Sequence, residues 1–297
     1  MKTRIKHHGP ITEFQWKSTH WATIVPKWTS SYLVDKLLID TGAPAGKEQI
    51  LQWISSLPED EKPKRIILTH FHEDHSGGAH LLQNELGLPI FCSHLTQLEF
   101  NDLKPYRWFR QIYWGKKLTP PNSVNTIPIN NTVTSESGKY YFQLISIPGH
   151  SPDLTALLDS KNQLLFVGDG IMKRYEMLFG GGCVDLQENI QEIYESQKKL
   201  YELTEGMDNL QIFVAHSKVY PRDFLKEKID EIENLHTKAH SLKSELEKKG
   251  ITKENTLINK IIKQIWLKGE NSLAKFLSHG EISFANLVKS LLQWPIN

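Results

Sequence analysis

This chain of 297 residues contains little cysteine and almost no excess of either charge. Its two cysteines, Cys92 and Cys183, are too few for a disulfide framework and suit a reducing compartment. Lysine and arginine number 35 against 34 aspartates and glutamates, so the net charge of +1 creates no field that would attract nucleic acid or an anionic membrane. No apolar run approaches the ~20 residues that span a bilayer, and the basic start lacks the apolar core of a signal peptide. These absences predict a cytoplasmic protein with no membrane partner.

Apolar residues are plentiful, and their spacing changes near residue 220. Before that point, short β-branched runs alternate with segments of helical spacing, which predicts βαβ units with a largely parallel centre. Beyond it, apolar residues recur every three or four positions, which predicts three helices. The positions that define these helices include Leu225, Ile229, Ile232, Leu257, Ile258, Ile261, Phe284, Leu287 and Leu291. Strands are also predicted over residues 22–25 and 31–39, and a helix from Leu186 to about Leu203 with its cap at Val184 and Asp185.

The densest group of polar side chains follows the short apolar strand predicted at residues 65–68. This run reads Thr69-His70-Phe71-His72-Glu73-Asp74-His75-Ser76-Gly77-Gly78. Imidazole and carboxylate groups at the end of a buried strand each need a polar partner, and a divalent metal ion can serve several of them at once. His70 and His72 point to the same side of an extended segment, so both can bind one ion. Asp74 and His75, where the chain turns, can face a second ion.

The spacing His70-x-His72-x-Asp74-His75 followed by two glycines resembles the signature of the metallo-β-lactamase superfamily. Other marks of that superfamily stand in the expected order within residues 20 to 220. They are Ile39-Asp40-Thr41-Gly42, Pro148-Gly149-His150-Ser151, Val167-Gly168-Asp169-Gly170 and Val214-Ala215-His216. The resemblance implies an α/β fold, a four-layer αββα sandwich, with a metal-binding catalytic domain over residues 1–220. Residues 221–297 are predicted to form a C-terminal helical module, similar to the extensions of some hydrolases of the superfamily.

The resemblance also implies a complete set of ligands for two divalent metal ions. The ligands of the first ion are His70, His72 and His150, those of the second are Asp74, His75 and His216, and the bridging ligand is Asp169. Zinc suits this set of nitrogen and oxygen donors, and iron or manganese could replace it. Small residues on both sides of the bridging aspartate would let it approach two cations.

Three residues in or near these motifs have more than one possible role. The resemblance implies that Asp40 braces the metal-binding loop without binding metal, while the residues alone equally allow a simple turn aspartate. His216 follows an apolar strand and could be a core histidine, but its place at the strand end favours a metal ligand. His94 is expected to pack or to support the site, because the resemblance leaves no ligand position for it.

Such a site predicts a hydrolase that uses a metal-bound hydroxide as its nucleophile, with Asp74 as a catalytic residue that transfers protons. The expected substrate is a small-molecule ester, thioester or lactone. Two branches of the superfamily fit less well. Acyl-homoserine lactonases have a tyrosine where this chain has Met172, and glyoxalase II enzymes have Thr-Leu-Phe where it has Gly170-Ile171-Met172.

Two alternatives remain open at the level of sequence. The first is a phosphodiesterase or nuclease acting on RNA or DNA, for which the cations of residues 100–118 give some support. The aromatic and cationic residues of that segment are Tyr106, Arg107, Trp108, Phe109, Arg110, Tyr113, Trp114, Lys116 and Lys117. The segment is either a lid over the substrate or a helix that packs its aromatic face on the sheet. The second alternative is a single-iron persulfide dioxygenase or a di-iron redox protein. The predicted ligands of the second ion argue against the single-iron version.

Overall fold

The computed structural model of the chain describes residues 2–20, 27–103, 108–180, 188–267 and 269–296. Two compact units make up the chain, and neither is continuous in sequence. The first comprises Met1–Ile147, Pro152–Asp169 and Gly206–Pro221, and the second comprises Pro148–Ser151, Gly170–Glu205 and Arg222–Asn297. The predicted division into domains 1–220 and 221–297 stays a prediction.

The first unit contains a seven-stranded sheet whose strands follow one another in sequence order. These strands are β1 (Lys2–His8), β2 (Ile11–Lys17), β3 (Thr29–Val34), β4 (Leu37–Ile39), β5 (Arg65–Ile67), β6 (Ile90–Ser93) and β7 (Asn125–Ile127). Strands β1 to β4 pair antiparallel, and β4 to β7 pair parallel, which confirms the parallel centre predicted here. Helices connect the parallel strands, and they are α1 (Lys47–Ser56), α2 (Glu73–Ser76), α3 (Ala79–Leu86), α4 (His94–Asn101) and α5 (Trp108–Trp114).

A second sheet of the same unit has six strands in the order β14-β13-β11-β10-β9-β8. They are β8 (Thr132–Thr134), β9 (Tyr141–Ser146), β10 (Thr155–Asp159), β11 (Leu164–Phe166), β13 (Gln211–Phe213) and β14 (Val219–Tyr220). Apolar side chains from both sheets, among them Ile67 and Phe166, form one buried cluster. Helices α1 and α3 contribute Trp53 and Leu82 to a second cluster that includes Ile66 of β5. Paired sheets flanked by helices give the mixed α/β fold that was predicted.

The second unit is mostly helical. Its elements are β12 (Leu178–Phe179), α6 (Ile190–Leu203), α7 (Asp223–Lys248), α8 (Glu254–Ile265), α9 (Ser272–Leu277), β15 (Ile282–Ser283) and α10 (Phe284–Gln293). The apolar positions predicted for the three C-terminal helices lie in α7, α8 and α10, and residues such as Ile232, Ile261 and Leu287 share one buried cluster. Within the described part of the chain, no helix combines the length and the apolar character needed to cross a membrane.

Two predicted elements have different limits. The strand predicted over residues 31–39 is wrong, because β3 and β4 form a hairpin around a tight turn. Asp35 and Lys36 make that turn with positive φ angles of 42° and 63°, a conformation that carries little sequence signal in the absence of glycine.

Helix α6 begins later than predicted, at Ile190 instead of Leu186. The side chain of Asn189 accepts hydrogen bonds from the backbone N–H groups of Gln191 and Glu192, so Asn189 is its N-cap. The predicted cap at residues 184–185 and the predicted strand at 22–25 lie outside the described residues.

Candidate metal centre

Strand ends bring the predicted ligands of the first unit together. The run from His70 to His75 follows β5, whereas Asp169 and His216 follow β11 and β13. Strands β11 and β13 are parallel neighbours, so their carboxyl ends lie at the same edge of the second sheet. Gly168 makes this approach possible, because it has a φ of +50° and a Cβ at that position would lie 2.8 Å from Thr69 Oγ1.

Four of these side chains form a compact cluster of nitrogen and oxygen atoms. They are Asp74, His75, Asp169 and His216, and each offers one possible ligand atom within 4.8 Å of the others. His216 Nε2 lies 2.9 Å from Asp74 Oδ2 and 3.2 Å from Asp169 Oδ2. His75 Nε2 lies 3.3 Å from Asp169 Oδ1 and 3.8 Å from Asp74 Oδ2. The set matches the residues predicted for the second ion together with the predicted bridge.

His70 and His72 lie beside each other, as predicted from the extended run. Their ring centres are 4.8 Å apart, and both side chains are buried. The ring of His70 also lies 4.2 Å from that of His75. The pair and the four-residue cluster are therefore neighbours within one unit.

Asp40 holds the metal-binding loop through both of its carboxylate oxygens. Its Oδ1 accepts a hydrogen bond from the backbone N–H of Thr69 at 2.8 Å, and its Oδ2 accepts one from Thr69 Oγ1 at 2.8 Å. The same Oδ2 lies 2.8 Å from Nδ1 of His75. Asp40 has a positive φ of 57°, which turns its side chain at the end of β4. The bracing role predicted for Asp40 is confirmed.

Two other imidazoles among the predicted ligands are oriented in the same way through Nδ1. Nδ1 of His216 lies 2.7 Å from the backbone carbonyl oxygen of Trp28, and Nδ1 of His70 lies 3.1 Å from Thr69 Oγ1. A hydrogen bond at Nδ1 fixes the ring and leaves Nε2 as the nitrogen that faces an ion. Trp28 was not predicted, because a backbone carbonyl that accepts this bond has no signature in the sequence.

The cluster is strongly polarised. Burial alone would lower the pKa of His216, but Asp169 and Asp74 outweigh that effect and raise its pKa to about 9. Burial likewise opposes the protonated form of His75, yet three carboxylates around it hold its pKa well above the usual range. Burial would raise the pKa of Asp74, but His75 and His216 hold it well below the usual range, and the pKa of Asp169 is lowered by the same two histidines. Protons on the imidazoles thus supply positive charge that a metal cation can replace.

The residues of the first unit fit a divalent metal. Nε2 of His75 is buried and makes no hydrogen bond of suitable geometry, although a carboxylate oxygen lies nearby. A buried imidazole nitrogen of this kind is accounted for by a metal ion, which accepts its lone pair. Imidazole and carboxylate donors suit zinc, iron or manganese. The full ligand assignment, including His150, stays a prediction.

His150 lies in the second unit, where a carboxylate orients it. Nδ1 of His150 is 2.5 Å from Oε1 of Glu188, and both side chains are buried. The other oxygen of Glu188 accepts a hydrogen bond from the backbone N–H of Phe179 at 2.6 Å. Glu188 is a residue that the sequence motifs missed, since it stands alone before α6 with no motif around it. Gly149 permits this geometry, because a Cβ there would lie 2.5 Å from the backbone nitrogen of Ile193.

The aromatic segment of residues 100–118 is divided between buried and exposed side chains. Phe109 and Trp114 are buried in α5, as expected for packing, while Trp108 is 47% exposed. Arg110 is paired with Glu73 of the metal-binding loop. Tyr106 and Arg107 lie outside the described residues. His94, expected to pack or support the site, is instead exposed at the start of α4.

Comparison with known proteins agrees with this geometry. The profile of the Metallo-beta-lactamase superfamily matches residues 28–216, which is more than half of the chain. The chain belongs to the metallo-β-lactamase superfamily. Several of its relatives are named hydroxyacylglutathione hydrolase. That of Psychromonas ingrahamii is 28% identical over 183 residues, covering 61% of this chain and 56% of the relative. That of Nitrosomonas europaea is 24% identical over 181 residues, covering 61% and 54%. The chain thus spans about half the length of these hydrolases.

Solved structures of the superfamily share the fold. The metallo-beta-lactamase from Pontibacter korlensis aligns with a TM-score of 0.61 at 16% identity, covering 78% of this chain and 100% of that chain. The DIM-1 metallo-beta-lactamase aligns with a TM-score of 0.58 at 16% identity, covering 79% and 98%. At this identity the likeness concerns the fold alone.

Proposed function

We propose that this member of the superfamily is a dinuclear metal-dependent hydrolase that cleaves an ester, thioester or lactone bond of a small molecule. The observation that carries the proposal is the cluster of Asp74, His75, Asp169 and His216, in which carboxylates face imidazoles that other residues already orient. A cluster of this composition at the ends of strands has the donor set of a hydrolytic metal site.

The names of relatives and the charge of the chain support the proposed class of substrate. Several relatives carry the name hydroxyacylglutathione hydrolase, which supports a thioester among the three candidate bonds. The net charge of +1 gives no reason to prefer nucleic acid. Arg110, one of the cations that supported the nuclease alternative, is occupied by its ion pair with Glu73. A small-molecule substrate therefore remains the proposal.

We assign the ligands by combining geometry and sequence pattern. The second ion would be held by the four-residue cluster of the first unit, and the first ion by His70 and His72. We add His150 to the ligands of the first ion from the sequence pattern of the superfamily. Zinc is the proposed metal, because neutral imidazole and carboxylate donors match its preference.

The residues of the chain would orient the cations and move protons. Bound cations would supply Lewis-acid chemistry, which lowers the pKa of a water molecule toward ~7 and stabilises charge that develops on the substrate oxygen. Despite its burial, His75 and His216 hold the pKa of Asp74 well below the usual range, so the carboxylate is ionised at neutral pH and suits a cation as its ligand. The proton transfer proposed for Asp74 comes from the sequence pattern of the superfamily. Asp40 keeps His75 in the orientation that presents Nε2 to the centre.

The decisive measurement is metal content per chain by plasma mass spectrometry, on protein purified without added metal. Asp169→Asn should lose metal, because an amide is a weaker ligand than a carboxylate. Asp159→Asn is the matched control in the same unit. Asp159 is a buried carboxylate that accepts hydrogen bonds from the backbone N–H groups of Tyr141 and Asn162. We expect Asp159→Asn to keep its metal.

Close to two zinc ions per wild-type chain would support the proposal and lead to assays of thioesters, lactones and phosphodiesters side by side. Close to one iron per chain would contradict the dinuclear hydrolase and favour the persulfide dioxygenase, which an oxygen-consumption assay detects. Equal metal loss in both aspartate variants would show that Asp169 is not a specific metal ligand.

A further inference from the structure

Helix α5 contacts the candidate metal centre at two places, although none of its residues is a predicted ligand. Nε of Arg110 donates to Oε1 of Glu73 at 2.5 Å, and Nη2 of Arg110 donates to Oε2 of Glu73 at 2.8 Å. Only 17% of the Arg110 side chain and 7% of the Glu73 side chain are exposed. The indole of Trp114 stacks on the imidazole of His216, with 5.6 Å between ring centres and 24° between ring planes.

These two contacts reach residues that come from distant parts of the sequence. Glu73 opens the four-residue helix α2 and directly precedes Asp74. Asp74 Oδ2 in turn lies 2.9 Å from Nε2 of His216, the residue under Trp114. One short helix therefore contacts His216 and the residue next to Asp74, and the contact between Asp74 and His216 is the shortest of those given above for the four-residue cluster.

We propose that Arg110 is a positioning residue of the metal centre. It acts through Glu73 to hold the α2 turn, and with it Asp74, in the orientation that binds the second metal ion. This inference rests on the proposed function, because it requires Asp74 to be a ligand. It adds a residue that belongs to neither ligand group and that no motif of the sequence indicates.

The chemistry of the pair suits a positioning role. A guanidinium is a planar fork that meets both oxygens of a carboxylate, so it fixes the direction of Glu73 as well as its charge. A lysine would supply the charge from a flexible stem without fixing that direction. Without a cationic partner, the largely buried carboxylate of Glu73 would turn toward water and move the backbone of α2. Asp74 is one peptide bond away and would move with it.

Helix α5 has other attachments, so the ion pair can be weakened while the helix remains in place. Phe109 is buried, and Ser18 Oγ donates a hydrogen bond to the carbonyl oxygen of Ile112 at 3.3 Å. Gly115, which follows α5, has a φ of +95°, and a Cβ there would lie 2.6 Å from the Cβ of Ala45. Variants of Arg110 that keep a long side chain should therefore fold.

The experiment is a titration of the metal-free full chain with Co²⁺, followed by visible absorption, on wild type, Arg110→Lys and Glu73→Gln. We expect both variants to bind the second equivalent of Co²⁺ at least about tenfold more weakly than wild type, the size seen when a residue that orients a ligand is changed. The double variant should be no weaker than the weaker single variant, because both changes break the same interaction.

Arg65→Lys provides the matched control. Arg65 makes an ion pair with Glu136 at 2.8 Å in the same unit, at the opposite end of β5 from the metal-binding loop. Its Co²⁺ affinities should equal those of wild type. If Arg110→Lys lowers the melting temperature but leaves both Co²⁺ affinities unchanged, the ion pair only stabilises the fold and the inference is wrong, while the proposed function stands. If wild type binds fewer than two Co²⁺ ions, the dinuclear function itself fails and the inference fails with it.

Discussion

The first unit buries charged and polar side chains around its candidate metal centre, whereas the second unit buries an apolar cluster of helices. Asp40, His70 and His75 are each no more than 2% exposed. Ile232, Leu287 and Leu291 of the second unit are fully buried. Burial is therefore equally deep in both regions, and only the kind of interaction differs.

That difference separates stability from function. The stabilisation from apolar burial is non-directional and roughly proportional to the area buried. Truncating an apolar side chain therefore weakens the fold, but it leaves no neighbouring polar group without its partner. In the polar region each group depends on a directed partner, and removing one leaves another unsatisfied. Substitutions in the apolar region should consequently change the free energy of unfolding, whereas substitutions in the polar region should change metal binding and activity.

The largest effect is expected at the ligands of the first unit. His72→Ala should reduce kcat/KM for the best ester or thioester substrate by on the order of a thousandfold, because it removes a group that holds the charge-stabilising centre. The fold should survive, since His72 lies after a strand end and outside the apolar clusters. Circular dichroism and steady-state kinetics measure the two quantities. Activity at the wild-type level in His72→Ala would refute the ligand assignment.

Leu287→Ala should produce the opposite result in the second unit. Leu287 is fully buried in the helical cluster, so its truncation should cost ~2–5 kcal/mol of the free energy of unfolding, measured in urea. The folded protein should keep its metal affinity. Phe276→Ala is the control, because Phe276 is 77% exposed and should change stability by no more than about 0.5 kcal/mol. A loss of metal from folded Leu287→Ala would show that the two regions are not separable in this way.

Each unit also has one carboxylate that orients a predicted ligand histidine. Asp40 lies 2.8 Å from Nδ1 of His75, and Glu188 lies 2.5 Å from Nδ1 of His150. We expect Asp40→Asn and Glu188→Gln each to weaken metal binding by about 10–100-fold, because each removes the charged acceptor that orients an imidazole. Competition with a chelator of known affinity measures the change.

The pair also tests His150, whose place among the ligands comes from the sequence pattern. If Asp40→Asn weakens metal binding and Glu188→Gln lowers only the melting temperature, His150 is not a ligand. The Glu188–His150 pair would then be a structural contact of the second unit.

The helical cluster could be predicted from the sequence because the pattern that specifies each helix lies within the helix itself. The spacing of apolar residues three and four apart fixes the buried face of a helix without reference to the rest of the chain. The apolar positions predicted for three helices accordingly lie within α7, α8 and α10, whereas the six-residue helix α9 was not predicted. The hairpin of β3 and β4 could not be found in this way, because residues without a turn signature, Asp35 and Lys36, adopt the positive φ angles.

The candidate centre was predictable only in part, for a related reason. Side chains that bind metal recur in motifs, and the four residues of the cluster were all among the predicted ligands. The groups that orient them are not local. The carbonyl oxygen of Trp28 is 188 positions from His216, and Arg110 is 37 positions from Glu73. Such contacts depend on the tertiary fold, so only the structure could reveal them.

The smallest effect is expected at Trp108, which lies in the same helix as buried Trp114 but is 47% exposed. Trp108→Ala should change the free energy of unfolding by no more than about 0.5 kcal/mol. The lid interpretation of α5 predicts that the indole contacts the acyl chain of the substrate, which is worth roughly 0.5–1.5 kcal/mol for an aromatic contact. KM should then rise about two- to tenfold for long acyl thioesters and stay nearly constant for short ones.

Leu98→Ala on α4, with a comparable exposure of 48%, is the control and should leave both KM values unchanged. An equal rise in KM for long and short substrates would show that Trp108 does not contact the acyl chain. Helix α5 would then have only its packing contacts and the Arg110–Glu73 ion pair.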